Sequence, residues 1–178
     1  PPRSTLERSA AASDVYNRQA NDLAYKYFHH MLLNDDSGAA AREYLQARRL
    51  TSESIERFGL GYAPSNWDGL LKVAGRRSLN PQVMEQSGLA LPRQNGGGYY
   101  DRFRDRVTFP IANLSIRSIA FGARALQPDA EPKYLNSPET AIYHKGRVLY
   151  GLSDTRDAVR RQDCVLGVEG YMDLISLV

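Results

Sequence analysis

The chain has one cysteine, Cys164, in 178 residues. A single thiol excludes an internal disulfide framework and any Cys-based zinc site within this chain. No stretch approaches the ~18 consecutive apolar residues of a membrane helix, so no membrane partner is expected. The opening "PPRSTLERSAAASD" lacks an apolar core segment and does not read as a secretory signal. Residues 1–14 read instead as a linker. Internal repeats and low-complexity tracts are also missing.

What is present is an ordinary globular composition, 42% apolar and 24% charged. The length suits one domain, or one domain and a piece of another. Net charge is +3 with a pI near 9.1, a mild bias toward an anionic partner that only the arrangement of charges can sharpen. Small apolar neighbours around Cys164 predict a buried, inert thiol, in keeping with a reducing cytoplasm.

Helical signals come first. Apolar residues from Leu6 to Leu33 recur at helical spacing, with Leu23, Tyr27 and Met31 on one stripe. The polar turn "NDDSG" ends it, and "AAAREYLQARRL" predicts a second helix. Thr51 caps a short third one stopping at Gly59; Ser65 or Asn66 is expected to cap "WDGLLKVAG"; Asn80-Pro81 opens a further helix that Gly88 stops. The grammar then changes. Asn95-Gly96 between two strand-like runs predicts a hairpin. "RVTFPIANLSIRSIAFGARAL" predicts a strand pair turning at "ANLS". Helices followed by an antiparallel or mixed sheet give an α+β fold. From Gly151 the order helix "SDTRDAVRRQD", strand "CVLGVE", helix "YMDLISLV" predicts the opening of an α/β layer.

Three stretches could carry chemistry. The apolar run "CVLGVE" fits a central parallel strand buried on both faces, which would place Glu169 at its C-terminal end, where ligand crevices form. Asp173 falls four residues later, so the two carboxylates could converge on a hard divalent cation, Mg²⁺ or Mn²⁺. The competing reading is a helix cap. In "YYDRFRDRVTF" a continuous strand would put Arg102, Arg104 and Arg106 on one face, roughly 6.6 Å apart, as a stripe for phosphates. The plain alternative is a solvated face neutralised by Asp101 and Asp105. "EPKYLNSPETAIYHKG" holds Lys133, Tyr134, His144 and Lys145 on a turn-rich segment where two lysines could meet a triphosphate; an ordinary polar loop is the alternative. His29 and His30 lack partners at ligand spacing and read as surface or satisfied core residues.

Taken in order, "AREYLQARRL", "IERFGLGYAP", "YYDRFRDRVTFPI", "FGAR", "PKYLNSPET", "HKGRVLYGL" and "VEGYMDLI" resemble the bacterial DnaG-type DNA primase over about residues 15–178. The resemblance implies the N-terminal subdomain of the primase RNA polymerase core at 15–150 and the start of its toprim fold at 151–178, so the chain is expected to be a fragment. It implies an enzyme class, the DNA-directed RNA polymerases that copy single-stranded template into short RNA primers from ribonucleoside triphosphates. By position, Glu169 resembles the catalytic toprim glutamate and Asp173 an accompanying metal-site carboxylate. Arg124, Lys133, Tyr134 and Lys145 match nucleotide-binding positions, and Arg48, Arg102 and Arg104 match template-binding ones, with Arg106 completing the stripe.

Mg²⁺ or Mn²⁺ would serve the whole enzyme, with zinc only in a module preceding this chain. A replicative helicase would be met through a C-terminal domain outside it, in the bacterial cytoplasm at the replication fork. One departure stands out: "ANLSIRSIAFGAR" replaces the family's glycine-containing turn and "GFGGR", so the turn before Ile116 is expected to be rebuilt. The rivals are a toprim-type nuclease or topoisomerase fragment, and a non-catalytic module that binds single-stranded DNA.

Overall fold

Helix α1 (Thr5–Asn34) is the spine on which the other elements pack. The computed structural model describes the backbone from residue 5 and side chains from residue 13 onward. The helix therefore takes in residues 5–14 of the expected linker, whose first four residues lie outside the described part. Its buried line is Asn17, Ala20, Asn21, Ala24, Phe28 and Leu32, with Leu23, Tyr27 and Met31 flanking it half-buried. A single-turn 3₁₀ segment at the "DDSG" turn leads to α2 (Ala39–Ala47). Thr51 then caps α3 (Ser52–Arg57), its hydroxyl accepting from Ser54 N–H at 3.1 Å. The strand β1 (Gly61–Ala63) follows.

Helix α4 (Gly69–Arg76) and helix α5 (Pro81–Gln86) come next. Asn80 caps α5 as expected, through Val83 N–H at 2.9 Å. Neither Ser65 nor Asn66 caps α4. Its first-turn amides go to a residue far along the chain, described below. The predicted hairpin forms from β2 (Ala90–Pro92) and β3 (Tyr99–Asp101), but the loop spans residues 93–98 rather than the Asn95-Gly96 pair alone.

The main sheet is antiparallel throughout, in the order β1, β4 (Arg106–Ala112), β5 (Ser118–Ala125), β6 (Tyr134–Asn136). Strand alternation sorts its two faces. Phe121 points to α1 and meets Phe28 edge-on at 5.5 Å. Gly122 and its cross-strand partner Phe109 point the other way, where Tyr171 stacks on Phe109 at 4.9 Å. Gly122 is required there because a Cβ would run into the Tyr171 ring. In the β4–β5 turn Asn113 accepts from Ser115 and Arg117 N–H, and Ile116 takes φ +60°, a conformation costly for a β-branched residue.

After a 3₁₀ turn at Lys145–Arg147, α6 (Leu152–Gln162) and α7 (Tyr171–Leu177) form where predicted. The predicted strand between them does not. Residues 164–168 make no ladder, and Val165 and Leu166 are 66% and 75% exposed. A parallel strand buried on both faces needs neighbours on each edge, and among the described residues none pairs with this segment. Cys164 is consequently exposed, not buried. No helix among the described residues is long and apolar enough to cross a membrane.

Candidate nucleic-acid interface

The "DRFRDR" segment is not one strand. β3 ends at Asp101, β4 begins at Arg106, and Asp105 between them sits at φ +50°. This break turns the expected stripe into three separate placements. Arg106 is only 8% exposed, its Nη1 donating to the carbonyls of Pro132 (2.7 Å) and Lys133 (3.4 Å). Burial lowers its proton affinity, yet leaves a guanidinium that braces the loop carrying Lys133. Arg102 is half-buried and donates to the Asn136 carbonyl at 3.1 Å, its Nε left without a partner. Arg104 alone turns toward the aromatic surface. Two of the three side chains of the predicted stripe thus hydrogen-bond to the backbone of residues 132–136.

Arg104 belongs to a cluster that the sequence reading missed. Its guanidinium lies 4.3 Å from the Trp67 ring centroid and 5.0 Å from that of Tyr100. Arg93 approaches the same two rings at 5.7 and 5.9 Å. Trp67, the only tryptophan, remains 54% exposed. An indole left half in water, flanked by two cations, offers a stacking face with adjacent phosphate partners. The signal in the sequence was a lone Trp just before a helix start, which the helix reading absorbed.

A second cluster joins residues that the sequence assigned to different tasks. Arg124 lies 4.5 Å from the centroid of Tyr44 and 5.9 Å from that of Tyr134, and Arg48 lies 5.5 Å from Tyr44. Arg48, expected on template, and Arg124, expected on nucleotide, thus meet at the Tyr44 ring, and Arg124 also approaches Tyr134. Tyr44 was not foreseen, although Tyr44 and Arg48 are four apart on a helix, a spacing that makes neighbours. Lys133 precedes Tyr134 with an exposed side chain. Lys145 sits on the separate 3₁₀ turn, its backbone N–H held by Glu139 at 3.2 Å.

Glu169 and Asp173 are both exposed at the start of α7. Asp173 Oδ2 accepts from Gly170 N–H at 3.2 Å, so the carboxylate capping this turn is Asp173, not Glu169. Tyr171 anchors the motif: beyond its stacking, its hydroxyl donates to Asn136 Oδ1 at 2.9 Å, beside the carbonyl that receives Arg102. Among the described residues no group of three Asp, Glu, His or Cys could hold a metal. Two exposed carboxylates, one already hydrogen-bonded, do not fit a divalent ion by themselves.

Beneath the Trp67 cluster lies a buried charge. Asp101, 5% exposed, accepts from Leu70 N–H at 2.7 Å and Leu71 N–H at 3.0 Å, capping α4 from across the fold. Burial pushes its carboxyl up to about 6 despite those two donors. Below pH ~4 the folded and unfolded chains both hold the proton; between ~4 and ~6 only the folded one does. This group's contribution therefore favours folding at low pH and is lost as pH rises through about 6. The unfolding free energy of the parent minus that of Asp101→Asn should fall by about 2–3 kcal/mol from pH 4 to pH 7, read from denaturant melts. A flat difference would show that the carboxyl is not perturbed.

The comparisons with known proteins decide the family. The profile of the DNA primase catalytic core, N-terminal domain, matches residues 27–156. The chain belongs to that family. The DNA primase of Pseudomonas putida is 48% identical over 156 residues, 88% of this chain and 24% of that protein. The DNA primase of Halalkalibacterium halodurans is 44% identical over 155 residues, 87% of this chain and 26% of that protein. The chain thus spans about a quarter of the length of these curated relatives.

Among solved structures, the DnaG primase catalytic domain bound to single-stranded DNA superposes with a TM-score of 0.85 at 41% identity, covering 94% of this chain and 51% of that one. The Mycobacterium tuberculosis primase RNA polymerase domain, in complex with double-stranded DNA bearing a 6-nucleotide overhang, gives 0.85 at 33% identity over 92% of this chain and 50% of that one. The α+β architecture is that of the primase catalytic core. The nuclease and topoisomerase readings are not favoured.

Proposed function

We propose that this primase-core unit holds single-stranded template on the Trp67–Tyr100–Arg93–Arg104 cluster. In the same reading Arg124, Tyr134, Lys133 and Lys145 receive the ribonucleoside triphosphate that starts an RNA primer. The single observation that carries the template assignment is the half-exposed Trp67 ring with Arg104 at 4.3 Å. A base has a π-face whatever its identity, so an indole platform binds single strands with little sequence preference while the guanidiniums meet phosphates. The DNA-bound relatives support the reading.

Arg48 extends the template path and shares Tyr44 with Arg124, which would align the templating strand with the incoming nucleotide. Arg102 and Arg106 hold the 132–136 loop at the height these contacts need. Glu169, placed by the docking of α7, supplies a carboxylate toward the reacting groups, and Asp173 adds a second. Metal chemistry, Mg²⁺ or Mn²⁺, requires more carboxylates than these two. In the whole enzyme we assign a nucleotidyltransferase activity, a replicative helicase as partner and a place in the bacterial cytoplasm at the replication fork.

The test is binding of an oligodeoxynucleotide by the purified chain at several salt concentrations. Trp67→Ala should weaken it at every salt by roughly 5- to 150-fold, the equivalent of ~1–3 kcal/mol of stacking per base. Arg104→Ala should instead reduce the slope of log affinity against log salt by about one unit. If both variants bind like the parent throughout, the cluster is not the template surface.

A further inference from the structure

Helix α4 is capped in an unusual way. Asp68 stands at its N-cap, the ordinary position for a capping carboxylate, yet makes no cap bond. Its carboxylate pairs instead with Lys72, four residues on, at 3.0 Å. The first-turn amides would then lack a partner, since the first four N–H groups of a helix have none within it. Asp101, some 30 residues along the chain, fills that gap with both carboxylate oxygens.

The same residue is tied to the aromatic cluster by its backbone. Asp101 N–H donates to the Trp67 carbonyl at 2.7 Å, and the Asp101 carbonyl accepts from Arg104 Nη1. Tyr100, the preceding residue, packs against the Trp67 ring with centroids 5.5 Å apart. One buried residue therefore touches the helix behind Trp67, the backbone of Trp67 and the cation beside it.

We propose that Asp101 is a positioning residue for the template surface: its carboxylate fixes the first turn of α4 and so holds Trp67 in the orientation that stacks with Arg104 and a DNA base. The inference rests on the template assignment above. A carboxylate suits the task because two acceptors on one rigid group hold two successive amides at once, and charge strengthens both bonds. Asp101→Asn keeps the shape but turns an N–H₂ toward one of those amides.

Trp67 is the only tryptophan, so its fluorescence reports the platform without a label. Asp101→Asn should lower the steady-state anisotropy of Trp67, increase its quenching by acrylamide and weaken oligodeoxynucleotide binding about tenfold. Circular dichroism should show the helices retained. Asp101→Glu, which keeps the charge, should recover part of the affinity. A folded Asp101→Asn protein with parental anisotropy and parental affinity would overturn the inference. Should that variant not fold, the parent suffices: bound oligonucleotide should slow hydrogen exchange at the Leu70 and Leu71 amides several-fold, because a turn that orders Trp67 is ordered by it in return. Unchanged exchange at both amides would overturn the inference equally. Failure of the template assignment looks different, since then Trp67→Ala itself would leave binding intact.

Discussion

Primer synthesis by the isolated 178-residue chain is expected to be undetectable, on any single-stranded template and at any Mg²⁺ concentration that leaves it folded. Mg²⁺ demands near-octahedral oxygen coordination and gives up its waters reluctantly. Among the described residues no three Asp, Glu, His or Cys gather to hold it, and Glu169 and Asp173 are both exposed, with Asp173 Oδ2 already accepting the Gly170 amide. Among the described residues the segment before them has no strand partners, so no sheet fixes its geometry. Labelled dinucleotide formation from ribonucleoside triphosphates is the readout. Template-dependent, Mg²⁺-dependent product from the purified chain, abolished by Glu169→Gln, would show that these two carboxylates suffice.

In a full-length primase carrying this unit, replacing Arg124 and Lys133 together by alanine should reduce primer initiation roughly 10²- to 10⁴-fold. Each charge-assisted contact to a triphosphate is worth about 1.5–3 kcal/mol, and two such losses account for that range. The effect should fall on the first phosphodiester bond and on the KM of the initiating nucleotide. Single-strand affinity should change far less, because Trp67 and Arg104 are untouched. Parental initiation by the double variant would remove these residues from the nucleotide site.

Local signals in the sequence make much of the fold legible. Thr51 and Asn80 cap the helices that follow them because a cap is a contact over three residues. The Asn95-Gly96 hairpin and the strand pair turning near Asn113 rest on equally local chemistry. What escaped was contact over distance. Asp101 caps α4 from 30 and 31 residues away, so nothing near "WDGLLKVAG" could reveal it. Reading "DRFRDR" as a strand failed because Asp105 adopts φ +50°, which no alternation pattern predicts. "CVLGVE" has the composition of a buried strand, but a strand is a property of its neighbours, and here it has none.

The candidate site followed the same division. Family resemblance pointed to Arg48, Arg124 and Tyr134 one by one, while only the fold showed that both arginines approach Tyr44 and that Arg124 also approaches Tyr134. Arg106 carried the right charge in the right motif, yet faces the carbonyls of Pro132 and Lys133. Charge alone does not say which way a side chain turns.

The most direct measurement is the emission of Trp67 while a short oligodeoxynucleotide is titrated into the unmodified chain. If bases stack on this ring while Arg93 and Arg104 meet phosphates, its fluorescence should be quenched saturably, and the midpoint should move to higher DNA concentration as salt is raised. DNA that binds, by an independent assay, while leaving Trp67 emission unchanged at every salt concentration would contradict the account.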